Sequence, residues 1–122
     1  MSESLREPRD LALQALYQAD RTGDVGALDE LPSKARRLVE GVLEHLDELD
    51  AEIAQASTHW SVERMPVIDR TILRLGLYEL RYVPNTPAAV VVNEAVRLAK
   101  TYSTQRSGSF VNGVLAALAE DE

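Results

Sequence analysis

Three side chains in the last quarter of the chain carry most of the chemistry that its residue types can offer. Tyr102, Arg106 and Phe110 recur at every fourth position through "TYSTQRSGSFVNGVL", residues 101–115, around a Ser/Gly-rich turn. An arginine can grip a phosphate through two parallel hydrogen bonds or stack on a base, and aromatic rings stack on unpaired bases. Each base–aromatic stack is worth roughly 1–3 kcal/mol. Arg6 and Arg9 add two cations near the N-terminus, on or just before a first helical segment. Tyr102 and Phe110 also fit the apolar stripes of their own segments, so plain core packing stays open for both rings.

Catalytic chemistry is poorly represented. His45 lies among acids and His59 in a connection; neither has a cysteine partner or His-x-x-x-His spacing, so neither reads as a metal ligand. Ser103, Ser107 and Ser109 lack a glycine-flanked nucleophile elbow, and the glycines form no phosphate-binding loop. The chain has no cysteine, which excludes disulfides and thiolate metal sites and suits a reducing compartment. A binding protein without cofactor or metal is expected, not an enzyme.

The 122 residues carry a net charge of −7, which argues against a nucleic-acid binder held by bulk electrostatics. The distribution says more. Residues 1–60 hold 13 acids and 6 bases, whereas residues 61–119 hold 4 acids and 7 bases. Acids concentrate in "EHLDELDAE", residues 44–52, and in the final "EDE". A local basic face on an acidic body is possible, and the acidic face would suit a basic protein partner. No apolar run approaches the roughly 20 residues that span a bilayer, and "MSESLREPRD" does not read as a signal peptide, so a cytoplasmic protein without membrane contact is expected.

The elements that must position these residues are helical nearly throughout. "PRDLALQALYQAD" places Pro8 in a first turn, followed by Leu11, Ala12, Ala15 and Leu16 at helical spacing. "TGDVGALDELP" breaks the chain, and from Ser33 the apolar positions keep one face as far as Ile53. "THWSVERMP" is a short connection in which Trp60 reads as a packing anchor. In "PVIDRTILRLGLYELRYV" apolar residues cover more than half the circumference of a central helix. Arg70, Arg74 and Arg81 share the remaining arc as an exposed cationic stripe, Glu79 falls inside the apolar arc and needs a partner, and Gly76 admits a close neighbour. "PNTP" separates this helix from one that starts with Thr86 as N-cap, and a last helix begins near Ser107. The length favours one domain over residues 1–122, and the fold class is all-α.

Four stretches together resemble the NusB family: "ALQALYQAD" at 12–20, "IDRTILRLGLYEL" at 68–80, "PAAVVVNEAVRLAKTYS" at 87–103 and "SGSFVNGVL" at 107–115. With the segments between them they match the family's order and spacing over nearly the whole chain. The resemblance implies a compact domain of about seven helices in two small bundles. It implies a transcription antitermination factor that binds the single-stranded boxA element of nascent ribosomal transcripts together with NusE, a small-subunit ribosomal protein, and helps assemble a complex on RNA polymerase. By position it points to Arg6, Arg9, Gln14, Tyr17, Tyr102, Arg106 and Phe110 as RNA-binding residues, and to Asp69 as an acid facing NusE. Alternatives are a protein-interaction module with vestigial RNA binding, or a stand-alone relative of the ribosomal-RNA-binding domain of certain methyltransferases.

Two departures from the family pattern bear on the site. Members often begin with a dense arginine cluster, whereas this chain has only Arg6 and Arg9 around Glu7 and Pro8. The family's loop reads like S-T-E-D-S-x-K-F, and here it is "STQRSGSF", with Gln105 and Arg106 in place of two acids. The RNA-facing charge is therefore expected to have moved from the N-terminal arm to the loop carrying Arg106.

Overall fold

The computed structural model describes residues 6–57 and 61–120. His59 and Trp60 lie outside them. Six α-helices account for most of the described chain: α1 Arg6–Thr22, α2 Ser33–Glu44, α3 Leu46–Ala56, α4 Val67–Tyr82, α5 Ala88–Tyr102 and α6 Gln105–Glu120. No strand occurs among the described residues. About seven helices were expected. The remaining ordered segments are single 3-10 turns at Leu28–Glu30 and Val62–Arg64. A proline stands two residues beyond each, Pro32 and Pro66, and proline disfavours α geometry in the residue before it.

Each helix follows from local chemistry. Pro8 stands within the first turn of α1, where its missing N–H costs nothing. Gly23 closes that helix at φ +79, and its N–H reaches the Ala19 carbonyl at 2.8 Å, the left-handed ending that glycine adopts without strain. Thr104 caps α6: its Oγ1 accepts the Ser107 N–H at 3.0 Å. The last helix consequently starts two residues earlier than expected, and Arg106 lies on its first turn instead of in a loop.

The apolar spacing from Ser33 to Ile53 reads as one helix, but the backbone bends at His45 (φ −107, ψ 18). The His45 ring stacks on Tyr82, centroids 4.1 Å apart, and Tyr82 on Tyr78 at 5.4 Å. Gly41 makes room for this stack, since a Cβ there would stand 2.1 Å from the Tyr78 ring. Beyond the bend, α3 packs on α4 and α6 with Leu49 and Ile53 fully buried.

Helix α4 packs against each of the other five. It buries Ile72, Leu73, Leu75 and Leu77 in a core to which all six helices contribute. Helices α1, α2 and α4 pack mutually, as do α4, α5 and α6. The close neighbour expected at Gly76 is Leu115 of α6, whose Cδ1 would lie 2.7 Å from an added Cβ.

The arginines of α4 do not form an exposed cationic stripe. Arg70 grips Asp20 of α1 at 2.7 and 2.8 Å, Arg74 grips Asp50 of α3 at 2.7 and 2.9 Å, and Arg81 reaches Glu52 of α3 at 2.8 Å. The stripe is a seam of ion pairs that fastens α1 and α3 to α4. The hydrogen bond from Arg70 holds the Asp20 carboxyl below the usual carboxylate range, against the opposing effect of burial.

Candidate nucleic-acid interface

The candidate site is the corner where α5 ends and α6 begins, together with one face of α1. At about 100° per residue, Arg6, Gln14, Tyr17 and Arg21 fall within roughly 80° of one another on α1. Arg6, Gln14 and Arg21 are exposed and Tyr17 is half-buried. The Arg21 guanidinium lies over the Tyr17 ring, 5.5 Å from its centroid. Gln14 Nε2 donates a long hydrogen bond of 3.4 Å to Tyr102 Oη, which brings α1 and the end of α5 together. Tyr102 is 39% exposed, so its ring is open to solvent and not sealed in the core.

Only Ser103 and Thr104 separate α5 from α6. Arg106 on the first turn of α6 is exposed, and among the described residues no carboxylate pairs with it. It rims a cavity of about 480 Å³ lined also by Met65, Pro66, Asp69, Ser107 and Phe110. Phe110 is half-buried: it packs on the core and also lines this cavity. Arg106 and Phe110 thus come together at one opening, with Tyr102 just before it in the chain and joined to Gln14.

Two expected site residues are placed differently. Arg9 is 4% exposed and does not lie on the α1 face that carries Arg6 and Gln14. Its Nε and Nη2 hold both carboxylate oxygens of Glu79, at 2.7 to 3.1 Å, and its Nη1 lies 3.5 Å from Glu94. Glu79 thereby finds the partner that its place in an apolar arc demanded. Buried and paired with two carboxylates, this guanidinium lies off the open surface and acts as a structural cation. Asp69, expected to face a protein partner, is also 4% exposed. Its Oδ2 accepts a hydrogen bond from Ser107 Oγ at 3.0 Å, which ties α4 to α6 beneath the corner.

Two cations at the site went unremarked in the sequence. Arg21 follows Tyr17 by one helical turn, a spacing that permits the observed stacking. Lys100 is exposed on α5, and its aliphatic stem lies so close over Gly108 that an added Cβ would meet Cγ at 2.9 Å. Among the described residues no group of His, Asp and Glu side chains could hold a metal ion, and no helix is long and apolar enough to cross a membrane.

Comparisons with known proteins agree over the full extent of this arrangement. The NusB family model matches residues 6–120. A "Transcription antitermination protein NusB" of Lysinibacillus sphaericus is 44% identical over 95% of this chain and 97% of its own length. Its counterpart in Acidothermus cellulolyticus is 47% identical over 90% of this chain and 83% of its own. Among solved structures, T. maritima NusB superposes with a TM-score of 0.88 and 32% identity, covering 100% of this chain and 94% of that one. A chain from "Antitermination Factors NusB and NusE in complex with dsRNA" superposes with a TM-score of 0.84 and 28% identity, covering 96% of each. On the family match and these identities, the chain belongs to the NusB family of transcription antitermination proteins.

Proposed function

We propose that this protein is an RNA-binding antitermination factor that works with NusE on the single-stranded boxA element of nascent transcripts and joins the transcription elongation complex. The observation that carries this reading is the α5–α6 corner. There an exposed arginine, with no carboxylate partner among the described residues, and a half-buried phenylalanine line a cavity, and an accessible tyrosine lies just before them in the chain. Arg106 supplies a bidentate phosphate grip, Tyr102 a stacking face for an unpaired base, and Phe110 an apolar wall. The α1 face extends the surface through Gln14, Tyr17, Arg21 and Arg6. The start of α6 adds first-turn amides and the positive end of a helix dipole, which favour an anion.

With so few cations on an acidic body, weak RNA binding alone and tighter binding with NusE follow. Arg106 should outweigh Arg6: the Arg106→Glu change should weaken RNA binding at least tenfold, a 1.4 kcal/mol effect or more, and Arg6→Ala less. Equal losses would remove the corner from the centre of the account. The burial of Arg9 favours a second reading, in which the chain is chiefly a protein-interaction module with residual RNA contacts. Titrating NusE and boxA-like RNA separately divides the two, because the second reading predicts NusE binding with no gain in RNA affinity. RNA binding independent of NusE would point instead to a stand-alone ribosomal-RNA-binding domain.

A further inference from the structure

We infer that Asp69 is a positioning residue for the nucleic-acid corner, acting through Ser107 to fix the first turn of α6 and, with it, Arg106. The inference rests on the RNA-binding reading above and assigns Asp69 a role inside the molecule instead of at a partner's surface.

Ser107 Oγ is the hub of a small, partly buried network. It lies 3.0 Å from Asp69 Oδ2, 2.9 Å from Ser103 Oγ and 3.2 Å from Thr104 Oγ1. A hydroxyl has one proton to give and two lone pairs to accept with. A carboxylate only accepts, so the Ser107 proton goes to Asp69. Ser107 is then left to accept from both Ser103 and Thr104. Two hydroxyls thus feed a third, which ends on one anion, and each bond polarises the next. Thr104 Oγ1 also accepts the Ser107 N–H at 3.0 Å, so the N-cap of α6 and the network are one structure.

The anchored residues Ser103, Thr104 and Ser107 bracket Gln105 and Arg106. With both sides of that dipeptide held from α4, the start of the Arg106 side chain is fixed relative to Phe110 and the cavity. Fixing it in advance spares the ordering cost that a mobile arginine would incur on binding. The arrangement has a cost of its own. Asp69 Oδ1 is buried with no hydrogen-bond partner among the described residues, and an unsatisfied buried acceptor is destabilising. A half-satisfied carboxylate is a poor choice for stability alone. It is intelligible as the anion that orients the hydroxyls.

The test is fluorescence anisotropy of a labelled single-stranded boxA-like RNA with the full chain and NusE, using wild type, Asp69→Asn, Ser107→Ala, Arg106→Ala and Asp69→Asn/Arg106→Ala. NusE affinity is measured separately without RNA, and each variant is melted to confirm folding. Asp69→Asn and Ser107→Ala should each weaken RNA binding about five- to tenfold, while Asp69→Asn adds little to Arg106→Ala, the non-additivity of residues acting through one another. NusE affinity should stay at the wild-type value. Full RNA affinity in Asp69→Asn and Ser107→Ala, an undiminished further loss in the double variant, or a loss confined to NusE binding would each overturn the inference. Ser107→Ala carries the same comparison should Asp69→Asn fail to fold. A wild-type protein that binds no RNA overturns the RNA reading itself, a result distinct from any of these.

Discussion

Arg9 and Arg106 both stand in the first turns of their helices, yet one is a brace and the other an open hand. The difference is angular. On α1, Arg9 shares the arc of Leu13 and Leu16, both buried, so its guanidinium points into the core, where Glu79 meets it. The same arithmetic that marks Glu79 as a charge in need of a partner also marks Arg9. From the sequence Arg9 nonetheless reads as an RNA contact and the partner of Glu79 goes unnamed, because the angular test is applied to only one of the two charges. What was not legible is Asp69, because the network beneath it depends on where α6 falls against α4. Removing one partner of a buried ion pair strands the other, which costs about 3–5 kcal/mol. Glu79→Ala should therefore lower the unfolding free energy by about 3–5 kcal/mol in urea titrations followed by circular dichroism. Arg9→Met/Glu79→Leu should recover much of that loss.

At the scale of elements, four of the six helices follow from spacing and punctuation, with ends shifted by a few residues, while α2 and α3 read as one. The exception is the break at His45, invisible because the apolar period runs through it without interruption. The cause is tertiary, an aromatic stack of His45 on Tyr82 and Tyr78 lodged against Gly41. Gly41→Ala should destabilise the protein by about 1–3 kcal/mol, the usual range for overpacking, despite alanine's better helix propensity. A melting temperature at or above wild type would contradict this. The seam along α4 makes a pH prediction. A carboxyl whose folded pKa is depressed contributes stability that is present above its unfolded value, about 3.9 for aspartate, and is lost as pH falls through the folded value. Asp20 is such a group. Asp20→Asn should thus be least stable relative to wild type near neutral pH, and the gap should close below about pH 4. A gap that widens in acid would refute the assignment.

For the molecule as a whole, charge sets the terms of RNA binding. The net charge is −7, and Arg70, Arg74 and Arg81 are tied to acids of α1 and α3. That pairing could not be read from the sequence, where the arginines of α4 present as an open stripe and their partners lie 24 to 54 residues away. Among the described residues the candidate surface carries Arg6, Arg21, Lys100 and Arg106. Four phosphate contacts on a single strand give a slope of log affinity against log salt of at most about −3. A steeper slope for the isolated protein would mean that another basic surface is engaged.

The most direct test is the affinity of a boxA-like single strand for the chain in the presence of NusE, wild type against Arg106→Glu, at fixed salt. The account predicts specific binding over a scrambled strand and at least a tenfold loss on charge reversal, about 1.4 kcal/mol. Equal affinity of the two proteins, or no preference for the boxA-like strand, would contradict it.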